Sequence, residues 1–499
     1  MPAPDSKPGR ALLAMLAGGL APLSLSPLDF WPAAILSIMA FMALLQNTSP
    51  RHGSFIGWAY GCGFFGVGAS WVYVSIHVYG DAGPLLAGLL TLLFVMGLAL
   101  FFSLQAWVLQ HFFSQTTSLW VFPAVWVIFE GFRGWVLTGF PWLYLGYAHL
   151  DTPLAGWAPV FGVMGISFVV VLSAVILYRL LLLFNASSKA PYAPTLIASI
   201  TLLAGLWLVP LLLNSIVWVK EVPEKSSTVA LVQANIAQEI KFDRAHLQAG
   251  LDRYAALSAP LWATNQIVLW PETAIPLLYQ QAGEILQSMS RQANIHHSAL
   301  ISGILFRDGQ LIHNSIISIG KGESIYHKQK LVPFGEYVPL AGIVENLLQI
   351  FDLPMSSLSP GPAGQPLLKV GELGLAPFIC YEVVYPDFVR KAAATSDFLV
   401  TISNDTWFGN SLGPLQHLQM AAMRALENGR YLVRATNNGV SAIIDEKGHI
   451  LARTPQFQEA VLSARVKVFA GTTPFSRWGS TPVLIFSFLI LVFQRLRRL

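Results

Sequence analysis

The sequence predicts a polytopic α-helical membrane domain of about eight spans joined to an outer α/β domain. Three observations carry that reading. Hydrophobic residues make up 54% of the chain and charged residues 11%, against about 25% charged in an average soluble protein. The apolarity is uneven: long uncharged runs fill 1–219 and 481–494, whereas the stretch between them reads as an ordinary globular segment. Within that stretch the pattern changes to short β-rich runs. The expected parts are therefore a membrane domain at 1–219, an outer domain at 220–478, and a last span with a basic tail at 479–499.

A hydrocarbon core about 30 Å thick needs roughly 20 apolar residues in a helix. Candidate spans lie at 11–28, 31–45, 55–74, 84–109, 119–135, 160–178, 196–217 and 482–493. Lys7 and Arg10 precede the first, as in a signal peptide, but the apolar run is long and further spans follow at once, so it reads as a retained helix. With a cytoplasmic N-terminus, the inner tails and loops carry Lys7, Arg10, Arg51, Arg179, Lys189, Arg495, Arg497 and Arg498, and the short outer loops only Arg133. That imbalance predicts a multi-pass protein of a bacterial inner membrane, with 220–478 in the periplasm and both termini in the cytoplasm. The net charge of +4 reflects this bias and gives no reason to expect nucleic acid. In the outer loop after the fifth span, Glu130, Arg133 and the run from Gly139 to Tyr144 form an aromatic, mildly charged collar, with His77 and Tyr79 nearby. Interfacial anchoring explains such aromatics; reception of a lipid headgroup is the functional expectation.

In the outer domain, 228–234, 266–270, 299–306, 314–319, 375–380, 398–403 and 440–444 read as strands, and 246–257, 283–294 and 415–427 as helices. Several strands are apolar on both faces, which predicts a sheet covered on each side. Polar residues gather where strands end: Glu272 in Trp270-Pro271-Glu272-Thr273, Lys328 in Tyr326-His327-Lys328, Glu336 in Phe334-Gly335-Glu336, and Cys380-Tyr381-Glu382 after Phe378-Ile379. Cys62, the other cysteine, lies in an apolar membrane segment and reads as a small hydrophobe.

A carboxylate, an ammonium and a thiol make a complete nucleophilic set. A thiol with an ordinary pKa of about 8.5 is mostly protonated at neutral pH and needs a base or a nearby cation. Glu272 is the candidate base. Lys328 would lower the thiol's pKa and stabilise an oxyanion, with the Tyr381 N–H as a second donor. Glu336 and Glu382 would hold the lysine and a substrate amine. No His/Cys cluster has metal-ligand spacing, so no metal or cofactor is expected. His417, Arg424 and Glu427 read as structural pairs on one helix.

Those segments, with Leu331-Val332-Pro333-Phe334-Gly335-Glu336, Ser403-Asn404-Asp405-Thr406-Trp407-Phe408-Gly409 and Arg434-Ala435-Thr436-Asn437-Asn438-Gly439, resemble the nitrilase, or carbon-nitrogen hydrolase, superfamily. Similarity extends along the whole chain to its membrane-embedded branch, which N-acylates bacterial lipoproteins. The resemblance implies an αββα sandwich with Glu272 as general base, Lys328 stabilising thiolate and oxyanion, Cys380 as nucleophile, and Glu336, Tyr381 and Glu382 in support. Phe242 stands where some relatives carry tryptophan. The implied reaction moves the sn-1 acyl chain of a phospholipid, phosphatidylethanolamine being the expected donor, through a Cys380 thioester to the N-terminal amine of a diacylglyceryl-modified apolipoprotein.

Because moving a lipid chain into water costs about 0.8 kcal/mol per CH2, such a site must open to the bilayer. Leu340, Ile343 and Phe351 are expected to form its lid. A membrane-anchored amidase or hydrolase, in which water discharges the thioester, is the alternative within the same chemistry. A transporter would place ionisable residues near the bilayer midplane, and here almost all polar chemistry lies outside. No coiled-coil heptad appears, so a monomer is expected.

Overall fold

The computed structural model describes residues 7–113, 115–185, 192–337 and 358–497. The expected lid residues Leu340, Ile343 and Phe351 lie outside these. The chain divides into two compact units: Met1–Val217 with Asn410–Gln419 and Trp478–Leu499, and Trp218–Gly409 with Met420–Arg477. Segment 410–419 thus groups with the helices, although it belongs in sequence to the outer domain.

In the first unit each expected span falls on a helix: Lys7–Leu20, Pro32–Leu45, Pro50–Gly68, Pro84–Phe112, Gln115–Arg133, Ala158–Asn185, Tyr192–Leu213 and Thr481–Leu496. By length and apolarity, Pro84–Phe112, Pro153–Phe184 and Pro194–Leu213 each suffice to cross a bilayer, and Pro50–Gly68 with Trp71–Tyr79, bent by 58°, makes a fourth if the pair is one span. The run expected at 11–28 is helical only to Leu20 and continues as the 3-10 turn Ala21–Ser24, because Pro22 cannot donate the next helical hydrogen bond. Small residues allow close helix packing: a Cβ at Gly61 would lie 2.7 Å from Ala99 Cα, and one at Gly57 2.7 Å from Ala106 Cβ.

The loop after Arg133 corrects the collar expectation. Glu130 and Arg133 are buried. Glu130 Oε1 accepts from Trp126 Nε1 at 3.1 Å and from the Leu145 N–H at 3.2 Å, while Arg133 Nη1 donates to the Trp142 carbonyl at 2.6 Å. These charges pin the loop from within, since a buried charge is tolerated only with hydrogen-bonding partners.

The second unit carries strands β1 Val219–Glu221, β2 Ser227–Gln233, β3 Ile267–Leu269, β4 Ile275–Leu278, β5 Ala299–Asp308, β6 Leu311–Gly320, β7 Ser324–His327, β8 Leu368–Val370, β9 Leu373–Ile379, β10 Phe398–Ser403, β11 Leu432–Thr436, β12 Ala442–Ile444, β13 Ile450–Arg453, β14 Ala460–Val466 and β15 Phe469–Gly471. One sheet runs β14-β2-β3-β5-β6-β7 with β4 along β5; another runs β13-β12-β11-β10-β9-β8; β1 and β15 pair separately. Leu231, Leu269 and Ile301 of the first sheet share an apolar cluster with Ile379, Val400 and Val433 of the second. The alternate residues Ala230, Val232, Val268 and Leu300 pack with Leu251, Tyr254, Leu286 and Met289 of helices Arg244–Ser258 and Gly283–Ile295. Period-two alternation thus sends one set of apolar side chains to the other sheet and the other set to helices.

Both sheets are parallel at their centres: β2, β3 and β5 in one, β9, β10 and β11 in the other. Parallel strands bring their carboxyl ends to one edge, where ligands of open α/β sheets bind.

Candidate active site

At the end of β9, Cys380 adopts φ +52°, a left-handed conformation uncommon outside glycine and costing about 1–3 kcal/mol. The turn is held by Glu382, which is fully buried. Its Oε2 accepts from the Ile379 N–H at 2.8 Å, and its Oε1 from Tyr326 Oη at 2.9 Å, the Gln329 N–H at 2.7 Å and the Lys330 N–H at 3.1 Å. Glu382 therefore ties the cysteine turn to the backbone beyond Lys328; the sequence expectation had it holding the lysine side chain or the substrate amine. Burial pushes its carboxyl up to about 7, against the pull of the Ile379 and Gln329 N–H donors.

Lys328 follows β7 and is buried, with its N–H on the Asn314 carbonyl of β6 at 2.8 Å. Its Nζ lies 2.8 Å from Glu336 Oε1 and 3.5 Å from Glu272 Oε1. Burial opposes its charge, but Glu336 and Glu272 outweigh that cost and hold the ammonium above its ordinary pKa. Glu336 in turn accepts from the Val332 N–H at 2.8 Å.

Glu272, beyond the end of β3, is fixed on both oxygens: Asn314 Nδ2 donates to Oε1 at 2.7 Å and the Asn404 N–H to Oε2 at 2.8 Å. Lys241 Nζ donates to its carbonyl at 3.0 Å. A Cβ at Gly303 would lie 2.7 Å from Glu272 Cα, so only glycine lets β5 pass under this turn.

The structure thus brings Glu272, Lys328, Glu336 and Cys380 to one place and sets Tyr381 and Glu382 in the turn after the thiol. Burial pushes the Cys380 thiol up, the charge of Glu272 adds to that, and Lys328 opposes it. Sequence reasoning missed Asn314, which also donates to Glu336 Oε1 at 3.2 Å and so bridges two carboxylates, and Lys241. Neither has a motif signature: Asn314 lies in β6 among His313, Ser315 and Ser318, and Lys241 ends the short helix Gln238–Lys241. Phe242, in the expected aromatic position, is partly exposed. Arg424 and Glu427 are fully buried and paired at 2.9 Å, while the His417 ring lies 5.7 Å from that of Trp142, tilted by 35°, within the helical unit.

His327, next to Lys328, yields a pH prediction. Its Nδ1 bonds Ser315 Oγ at 2.8 Å and its ring lies 4.8 Å from that of His313. Burial and then His313 lower its pKa, against Asp308. A histidine with a lowered folded pKa binds its proton more weakly than in the unfolded chain. Its contribution is complete above the unfolded value of about 6.5 and is lost as pH falls through it. The melting temperature should therefore fall less between pH 7 and pH 5 in His327→Gln than in the parent, as read by thermal unfolding in detergent.

Residues 228–473 match the carbon-nitrogen hydrolase family. Residues 17–176 match the apolipoprotein N-acyltransferase N-terminal domain. The chain is 46% identical to the apolipoprotein N-acyltransferase of Azotobacter vinelandii, over 98% of this chain and 95% of that protein. It is 39% identical to that of Coxiella burnetii, over 97% and 99%. The chain belongs to the apolipoprotein N-acyltransferase family. Among solved structures it is similar to a carbon-nitrogen hydrolase superfamily protein of Xanthomonas campestris, at 16% identity and TM-score 0.38, over 52% of this chain and 97% of that one. An amidase from Nesterenkonia sp. is similar at 19% identity and TM-score 0.35, over 48% and 90%.

Proposed function

We propose that the chain transfers the sn-1 acyl group of a phospholipid, phosphatidylethanolamine foremost, to the α-amine of a diacylglyceryl-modified cysteine at a lipoprotein's N-terminus. The observation that carries the mechanism is the buried Glu272–Lys328–Glu336 cluster beside a left-handed Cys380. Glu272 takes the thiol proton as sulfur attacks the ester carbonyl. Lys328 and the Tyr381 N–H receive the oxyanion, and the intermediate collapses to a thioester as the leaving lysophospholipid oxygen takes the proton from Glu272. The lipoprotein amine then attacks the thioester and gives its proton to Glu272, and the departing thiolate regains a proton. Glu336 fixes Lys328, and Glu382 fixes the turn that presents Cys380.

The same reading gives the chain eight membrane spans, an αββα sandwich in the periplasm, cytoplasmic termini and a monomeric state. The lysine and arginine imbalance supports that orientation, and the shared apolar cluster of the two sheets supports the sandwich.

Mass spectrometry tests the chemistry. The protein incubated with phosphatidylethanolamine should gain one acyl group on Cys380, lose it on addition of a diacylated lipopeptide, and gain none as Cys380→Ser. Discharge by water at the same rate would make the chain a membrane hydrolase, and no adduct would remove Cys380 from the reaction.

A further inference from the structure

The parallel register of β9 and β10 pairs Ile379 with Ile402, so the next residue on each strand is Cys380 on one and Ser403 on the other. Ser403 is fully buried, and its hydroxyl has one proton to give. It donates to Asp405 Oδ1 at 2.6 Å, and Asp405 Oδ2 is bound by Arg434 Nη2 at 2.6 Å, with both members of that pair fully buried. Asn404, between them, gives its N–H to Glu272 Oε2 at 2.8 Å. The end of β10 thus holds the base through one residue and lies alongside the nucleophile through the residue before it. A Cβ at Gly439 would meet Asp405 Cβ at 2.6 Å, so the backbone after β11 closes on this carboxylate and leaves it no room to swing.

We infer that Ser403 is a positioning residue for the Cys380 sulfur, with the Asp405–Arg434 pair fixing where its hydroxyl stands and the hydroxyl turning its one proton from Asp405 to the sulfur when that sulfur carries charge. The inference rests on Cys380 being the nucleophile. No proton is transferred: the Ser403 O–H bond stays intact, and only its acceptor changes. The charged sulfur arises twice, as the attacking thiolate and again as the leaving group when the amine displaces it, so both half-reactions use the same donor. A hydrogen bond from Ser403 favours the thiolate, whereas the charge of Asp405 opposes it.

The test uses the full chain in detergent with Cys62→Ala, so that Cys380 is the one thiol, and reads iodoacetamide alkylation against pH. Alkylation needs neither lipid nor lipopeptide, so it reports on Ser403 independently of acyl transfer. In Ser403→Ala the rising limb should move about one unit alkaline, a rate about tenfold lower at fixed pH, and Ser403→Thr should restore it. Release of the acyl group from preformed acyl-enzyme by lipopeptide should slow in Ser403→Ala and recover in Ser403→Thr. Superimposable limbs for the parent and Ser403→Ala would overturn the inference, as would a Thr variant as slow as Ala, which would make side-chain shape the cause. If Cys380 takes up no acyl group in the parent, the proposed reaction fails, and the alkylation limbs still decide the role of Ser403.

Discussion

Lys328→Met is expected to abolish acyl-enzyme formation and to destabilise the second unit by about 3–5 kcal/mol, the usual cost of removing one partner from a buried ion pair. The reason is local charge. Lys328 Nζ sits 2.8 Å from Glu336 and 3.5 Å from Glu272, and all three side chains are buried. Without the ammonium, two carboxylates share the Asn314 amide with no cation between them. Under the proposed mechanism catalysis loses the thiolate's counter-charge together with an oxyanion donor, a change worth about 100- to 1000-fold where single donors have been removed. A second substitution separates the two losses. Glu336→Gln on the Lys328→Met background removes one stranded charge and should recover a large share of the stability while leaving acylation at the level of the single variant. Chemical unfolding with mass spectrometry of the Cys380 adduct reads both. A double variant no more stable than the single would show that the carboxylates do not depend on Lys328.

Much of the candidate site's position was legible because its polar residues lie where strands stop. Glu272 follows β3, Lys328 follows β7 and Cys380 follows β9, and Glu272 and Cys380 appear in sequence as polar residues closing apolar runs. Residues acting across strands were not legible. Asn314 is one of several polar side chains inside β6, and only the pairing of β6 with its neighbours shows that it faces two carboxylates. Strand β11 escaped the strand reading because Leu432-Val433-Arg434 carries a charge where a buried strand should have none. The charge is tolerated because Asp405, beyond the end of the neighbouring strand, receives it. The same logic governs Arg133, which sequence pattern assigned to an interface and the fold turns inward onto the Trp142 carbonyl. In each case composition gave the residue its ordinary environment, and a partner distant in sequence gave it another.

Glu382→Gln, which keeps shape and removes only charge and acceptor capacity, is expected to lower the acylation rate by about 100-fold, the scale of an ångström-sized misplacement at a reacting atom. Four donors converge on this carboxylate, three on Oε1 and the Ile379 N–H on Oε2. An amide can serve the first oxygen, but its NH2 then faces the Ile379 N–H, donor against donor, at the residue that leads into the left-handed Cys380. Leaving a buried donor unpaired costs about 1–3 kcal/mol, and the cheapest relief is for the cysteine turn to relax from φ +52°. The pH dependence of stability tests the same carboxyl from another side. Burial raises it to about 7 in the folded protein, above the unfolded value of about 4.3. Its contribution is therefore complete below the unfolded value and is lost as pH rises from about 4.3 to about 7. Unfolding free energy measured at pH 5, 6 and 7 should carry this declining component in the parent and lack it in Glu382→Gln. An unchanged profile together with an unchanged acylation rate would mean that the turn holds Cys380 without Glu382.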